Sequence, residues 1–125
     1  MRDVMQKTDI TIVGAGPAGL ACAIVLAQAG RDVTVREWHA DVGHRFHEDF
    51  QGLENWSRAG DALDELRSAG IATDFEHHAF DSGTVFDPAG RRYPVRGVRP
   101  LFYLVRRGRT DGTLDRALLD QARAA

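Results

Sequence analysis

Six residues, Gly14-Ala-Gly-Pro-Ala-Gly19, have the types and spacing that bind a phosphate through backbone alone. Gly14 permits a tight turn out of a strand. Gly16 lacks the Cβ that would keep a phosphate off the backbone, and Gly19 lets a following helix pack closely on that strand. Pro17 suits a first helical turn, where a missing N–H costs little. The helix expected over 17–29 would aim its free N–H groups, and about half an elementary positive charge, at a pyrophosphate. Gly14, Gly16, Pro17, Ala18 and Gly19 are therefore candidate cofactor-binding residues. Glu37 ends a second strand, about 20 residues beyond the glycines, where a dinucleotide-binding fold puts the acid that takes a ribose 2′-hydroxyl. A carboxylate there repels a 2′-phosphate, which favours FAD or NAD over NADP.

The elements that must position this turn are legible around it. Ile10, Ile12 and Val13 form a short β-rich run of the kind found in buried parallel strands. Ala23 and Leu26 lie on the inner face of the helix, Gly30 stops it, and Val33-Thr34-Val35 supplies the second strand. Residues 1–7 are polar and read as a frayed leader. From Trp38 to Trp56 neither helical nor alternating periodicity holds, yet Phe46, Phe50 and Leu53 are present, and Gly43 is positioned to pass close to the nucleotide. Such aromatic-rich segments are more often functional than filler.

A helix follows, from Ser57 or Asp61 to Ala69, with Asp61 as N-cap and Gly70 as C-cap. Residues 73–80, 84–86 and 91–96 read as strands joined by the turns Asp81-Ser-Gly and Asp87-Pro-Ala-Gly90, a small antiparallel sheet inserted in the parallel fold. Leu101 to Val105 is apolar on both faces and reads as another buried strand. Thr113 caps a last helix whose inner face is Leu114, Ala117, Leu118, Gln121 and Ala122.

Composition excludes several classes. The 125 residues amount to one domain at most, 43% hydrophobic and 27% charged, as in ordinary globular chains. A net charge of −2 gives no pull toward nucleic acid or anionic membrane. No apolar run approaches the ~20 residues that span a bilayer, so no transmembrane segment is expected and the setting is cytoplasmic. Cys22 is the single cysteine; among helical alanines it reads as a small buried hydrophobe rather than a redox thiol. His44 and His47, beside Glu48 and Asp49, lack further well-placed ligands, and no metal site is assigned. His77 and His78 fall on opposite faces of a strand. Arg106, Arg107 and Arg109 could meet phosphates. No nucleophile elbow exists around Ser57, Ser68 or Ser82, and the catalytic residues are unknown.

Gly14 to Gly19, the Val-Thr-Val-Arg-Glu37 strand end, Gly43, and Leu101-Phe-Tyr-Leu-Val-Arg-Arg107 followed by Leu114-Asp-Arg-Ala-Leu-Leu resemble, in order and spacing, the N-terminal part of FAD-dependent oxidoreductases. The similarity is greatest to the geranylgeranyl-reductase-like branch, neighbouring the aromatic hydroxylases. Arg45 to Trp56 also looks like a segment of that branch. The resemblance implies an α/β fold: a Rossmann-type FAD/NAD(P)-binding domain with a parallel βαβ core and a small antiparallel β insertion. It further implies that Arg107, after the strand and before the helix, lies near the cofactor, and that Arg45 reaches the nucleotide from the loop after Gly43. FAD would be the cofactor, with NAD(P)H as electron donor and a small-molecule or lipid substrate in a full-length protein. Residues 1–125 would then be the front part of the FAD-binding domain. The later Gly-Asp motif, the later strands and the substrate domain would be absent, because a crossover helix normally delivers the chain to a further parallel strand. An isolated chain of this kind should be inactive. Two other readings stand beside it: an NAD-binding dehydrogenase domain, and a non-catalytic nucleotide-binding fragment.

Overall fold

The computed structural model describes residues 10–125, and the leader expected over 1–7 lies outside them. The elements run β1 (Ile10–Val13), α1 (Pro17–Gln28), β2 (Val33–Arg36), β3 (Phe50–Glu54), α2 (Ala62–Ser68), β4 (His77–Phe80), β5 (Ser82–Phe86), β6 (Arg92–Arg96), β7 (Phe102–Arg106) and α3 (Leu114–Ala124). β1 and β2 pair in parallel, Ile10 against Val33 through Val13 against Arg36, with α1 as the crossover. This is the βαβ unit that the glycine turn requires. α1 begins with Pro17 in its first turn and is capped at Ala29, after which Gly30 turns the chain at a φ of +76° that suits glycine.

β1 is less buried than its sequence suggests. Ile10 and Ile12 are half-buried, whereas Thr11 is exposed and Val13 is 87% exposed. The helices cover one face of the β1–β2 pair and leave the other open among the described residues. The same one-sidedness corrects the reading of Cys22, which is exposed: Leu20, Ala23 and Ile24 turn inward, and Cys22 lies off that face.

The apolar run Leu101 to Val105 falls largely in β7 (Phe102–Arg106), the middle strand of a second sheet ordered β3-β7-β4 and antiparallel throughout. Its burial alternates: Tyr103 and Val105 face the core, while Phe102, Leu104 and Arg106 are half-buried on the opposite face. β3 was not visible as a strand. Its outer residues are exposed and Gly52 interrupts the pattern; pairing with β7 makes it a strand. β5 and β6 form a separate hairpin, so β4 belongs with β7 and not with the inserted pair. One core joins Leu20 and Ile24 of α1, Leu114 and Leu118 of α3, and Tyr103 and Val105 of β7. Each such side chain contributes about 1.5–3 kcal/mol when fully buried.

Polar groups fix the relative placement of the elements. Asp61 caps α2 by accepting from the Leu63 and Asp64 N–H groups, and takes the Tyr103 hydroxyl at 2.6 Å. Buried Asn55 donates to Asp61 and to the Pro100 carbonyl, and accepts the Ala62 N–H. β3, α2 and β7 are thereby held at one point.

Candidate functional site

The glycine turn leaves β1 at Gly14, whose φ of +100° is open to glycine but strained for other residues. The Gly14 N–H donates to the Arg36 carbonyl at 2.7 Å, which continues the parallel ladder into the turn. Gly19 is a glycine for packing: a Cβ there would lie 2.2 Å from the Gly14 carbonyl oxygen. Gly16 differs from both. Its φ of −76° and ψ of 173° suit any residue, and a Cβ would meet nothing within 4 Å. Among the described residues nothing packs where a Cβ at that position would lie. The cap residue of α1 supplies no side-chain hydrogen bond, and the first turn holds no acid. The first-turn N–H groups of a helix have no intrahelical partner, so this end leaves its donors open to an acceptor.

Glu37 closes the mouth of the turn. Its Oε2 accepts the Ala15 N–H at 2.8 Å, and its Oε1 accepts the His39 N–H at 2.9 Å. The His39 N–H, with the Ala15 N–H next, holds the carboxyl below the usual carboxylate range, so it is an anion at neutral pH. Spacing alone placed Glu37 beside the glycines, and the structure brings them together. A cavity of about 500 Å³ lies alongside, between α1, β2 and α3, lined in part by Ala15, Val35, Glu37 and His39.

The two candidate arginines separate. Arg45 is exposed, its guanidinium 5.4 Å from the Phe46 ring centroid. Arg107 is only 7% exposed. Its Nε and Nη2 form a fork on the Asp115 carboxylate at 2.8 and 2.9 Å, Nη1 donates to Gln51, and the guanidinium lies 4.0 Å over the Phe46 ring. Asp115 is 1% exposed and also accepts the Gly108 N–H. Arg107 thus ties the segment after β2 to the start of α3.

Gly43 makes a close approach to the backbone of Gly108. A Cβ there would sit 2.4 Å from the Gly108 carbonyl oxygen, and Gly43 has φ +61°. Arg116 holds Asp41 at 2.7 Å, and Glu48, itself at φ 65°, takes Arg106 and Thr110. Gln51, Asp115 and the Asp41–Arg116 pair carried no signal of their own in the sequence. The run Leu114-Asp-Arg does contain an acid in the first turn of a helix, eight residues after Arg107. Among the described residues no group of three or more His, Cys, Asp or Glu side chains could hold a metal, and no helix is long and apolar enough to cross a membrane.

The fold and turn together have the form of a Rossmann-like βαβ unit, and comparison with known proteins agrees on the fold. Residues 12–58 match the family model described as an NAD(P)-binding Rossmann-like domain. The thiamine thiazole synthase of Methanococcus maripaludis is 39% identical over 84 residues, covering 65% of this chain and 32% of that protein. The all-trans-retinol 13,14-reductase of Macaca fascicularis is 44% identical over 54 residues, 41% of this chain and 8% of that protein. The crystal structure of 2-methyl-3-hydroxypyridine-5-carboxylic acid oxygenase superposes with a TM-score of 0.69 at 23% identity, covering 95% of this chain and 30% of that one. The chain spans about a third or less of the length of each of these relatives.

Proposed function

We propose that this chain binds the ADP half of FAD and serves as the FAD-binding portion of a flavin-dependent oxidoreductase. The observation that carries the reading is the open space in front of Gly16, at the uncapped start of α1, with the Glu37 carboxylate at its edge. In this reading the Gly14–Gly19 backbone and the α1 N–H groups bind the pyrophosphate, and Glu37 exchanges its backbone donors for ribose hydroxyls. Arg45, free to swing from its loop, neutralises the nucleotide's charge. Arg107 acts indirectly, by holding Phe46 and the loop that carries Arg45. The flavin would supply hydride or electron transfer, and the protein position and electrostatics.

FAD is favoured over NAD because of the long segment between β2 and α2, which contains Phe46 and β3 where a dehydrogenase would have a short link. The resemblance to FAD-dependent oxidoreductases points the same way. A small-molecule or lipid substrate accords with relatives named for a pyridine carboxylic acid and for retinol. NAD(P)H as electron donor and a cytoplasmic setting belong to the same proposal.

The test is a titration of the chain and of Glu37→Arg with FAD, NAD and NADP. FAD should bind best to the wild type. The variant should lose at least about tenfold in FAD affinity, the worth of one charge-assisted hydrogen bond, and should gain tolerance of a 2′-phosphate. Equal FAD binding by both proteins would remove Glu37 from the site. Preference of the wild type for NAD would instead favour a dehydrogenase domain, in line with the family model's description.

A further inference from the structure

Two residues beyond Glu37, the His39 ring stacks on that of His44, centroids 3.8 Å apart and planes 11° from parallel. Both residues are exposed, and among the described residues no salt bridge or core contact accounts for the arrangement. His39 is tied to the ribose acid through its own N–H, and it lines the same cavity as Glu37, Ala40 and Asp41. An imidazole has two faces. His44 covers one and fixes the plane of the ring, which leaves the other for a flat partner at no further cost in side-chain freedom. Trp38 lies next to His39 and is 94% exposed, but it is not part of the cavity lining, and no ring of the described residues is stacked on it.

We infer that the braced His39 ring is the stacking platform for the nucleotide's purine base. The inference rests on the proposal that Glu37 binds the ribose. A base is joined directly to its ribose, so it must lie against residues within one nucleoside's reach of that carboxylate, and His39 is the ring held there. His44 is a positioning residue, which acts by holding His39 in plane.

The experiment titrates the full chain with ADP and with ribose 5-diphosphate, which has the sugar and pyrophosphate but no base. The variants are His39→Ala, His39→Phe, His44→Ala and Trp38→Ala. Stacking of one base is worth about tenfold to a hundredfold in affinity. His39→Ala should lose that much for ADP and nothing for the base-free probe. His39→Phe should retain ADP binding, His44→Ala should lose a smaller factor, and Trp38→Ala should match wild type. In NMR spectra of the wild type, the His39 ring protons should move upfield when ADP binds, and not when the base-free probe binds. Equal loss for both probes would mean that His39 acts only through Glu37, and would overturn the inference. Unchanged ADP affinity in His39→Ala would overturn it too, while leaving the ribose reading intact. Failure of the wild type to bind either probe would bring down both.

Discussion

Gly16 and Gly19 belong to one motif, yet the structure separates their reasons for being glycine, and a pair of substitutions tests the difference. Gly19→Ala would bring a Cβ to 2.2 Å from the Gly14 carbonyl oxygen, about 0.8 Å inside the closest approach real Cβ atoms make. The obstacle is backbone on both sides, so α1 must lift away from β1. Overpacking of this kind costs about 1–3 kcal/mol. For a chain of this size that is a fall in melting temperature of about 4–12 °C. At Gly16 an added Cβ meets none of the described atoms within 4 Å, and the backbone conformation is open to any residue. Valine's poorer cap propensity and its lower unfolded-state entropy oppose each other, each worth about 0.5–1 kcal/mol. Stability should therefore stay within about 1 kcal/mol of wild type. Binding should reverse the order of harm: valine fills the space for a phosphate, and dinucleotide affinity should fall at least a hundredfold. Thermal unfolding without ligand, followed by titration with ADP and FAD, reads both effects. A Gly16→Val chain that unfolds as early as Gly19→Ala would refute the reasoning, as would one that binds ADP like wild type.

Asp115→Ala should cost about 3–5 kcal/mol by urea denaturation, because it strands the buried Arg107 guanidinium, and the double change Arg107→Met/Asp115→Leu should recover much of it. Hydrogen bonding to Asp61 pushes the Tyr103 hydroxyl up to about 12. Its contribution is complete below the ordinary tyrosine value and is lost as pH rises through about 12, so Tyr103→Phe should flatten the alkaline limb of the stability profile. Burial alone would raise the Asp61 carboxyl, but the Tyr103 hydroxyl and the Asp64 N–H lead the hydrogen bonds that outweigh it and hold it below the usual value. That contribution is present above the ordinary aspartate range and disappears as pH falls below it, and unfolding measured across the acid range should show the loss shrink in Tyr103→Phe.

The parts of the fold that could be read from the chain were those with local causes. The turn after Val13, the N-caps Asp61 and Thr113, and the inward face of α3 each follow from residues within a few positions of one another. What escaped depends on partners far along the chain. β3 is a strand because β7 lies beside it, with Gly52 opposite Leu104, 52 residues on, and Leu53 opposite Tyr103. The exposure of Val13 and Cys22 likewise depends on which faces other elements cover. At the site, Glu37 was legible because strand, helix and strand fix its distance from the glycines. The fates of Gly43 and Arg107 were not, since both are decided by a loop crossing that has no periodic signature.

That crossing of Gly43 and Gly108 bears on the order in which the molecule assembles. β1 and β2 meet over a separation of 23 residues, from Ile10 to Val33, whereas Gly43 and Gly108 are 65 residues apart. Closing the longer loop costs about 1 kcal/mol more chain entropy. It also cannot begin until β7 and the start of α3 exist for the earlier segment to cross. A chain emerging from the ribosome would therefore form its glycine turn early and the wall beside it late. The loop bearing His39 and Arg45 stays unfastened until residues 106–116 arrive to clasp it. Pulsed hydrogen exchange during refolding should find the amides of α1 protected before those of residues 41–49.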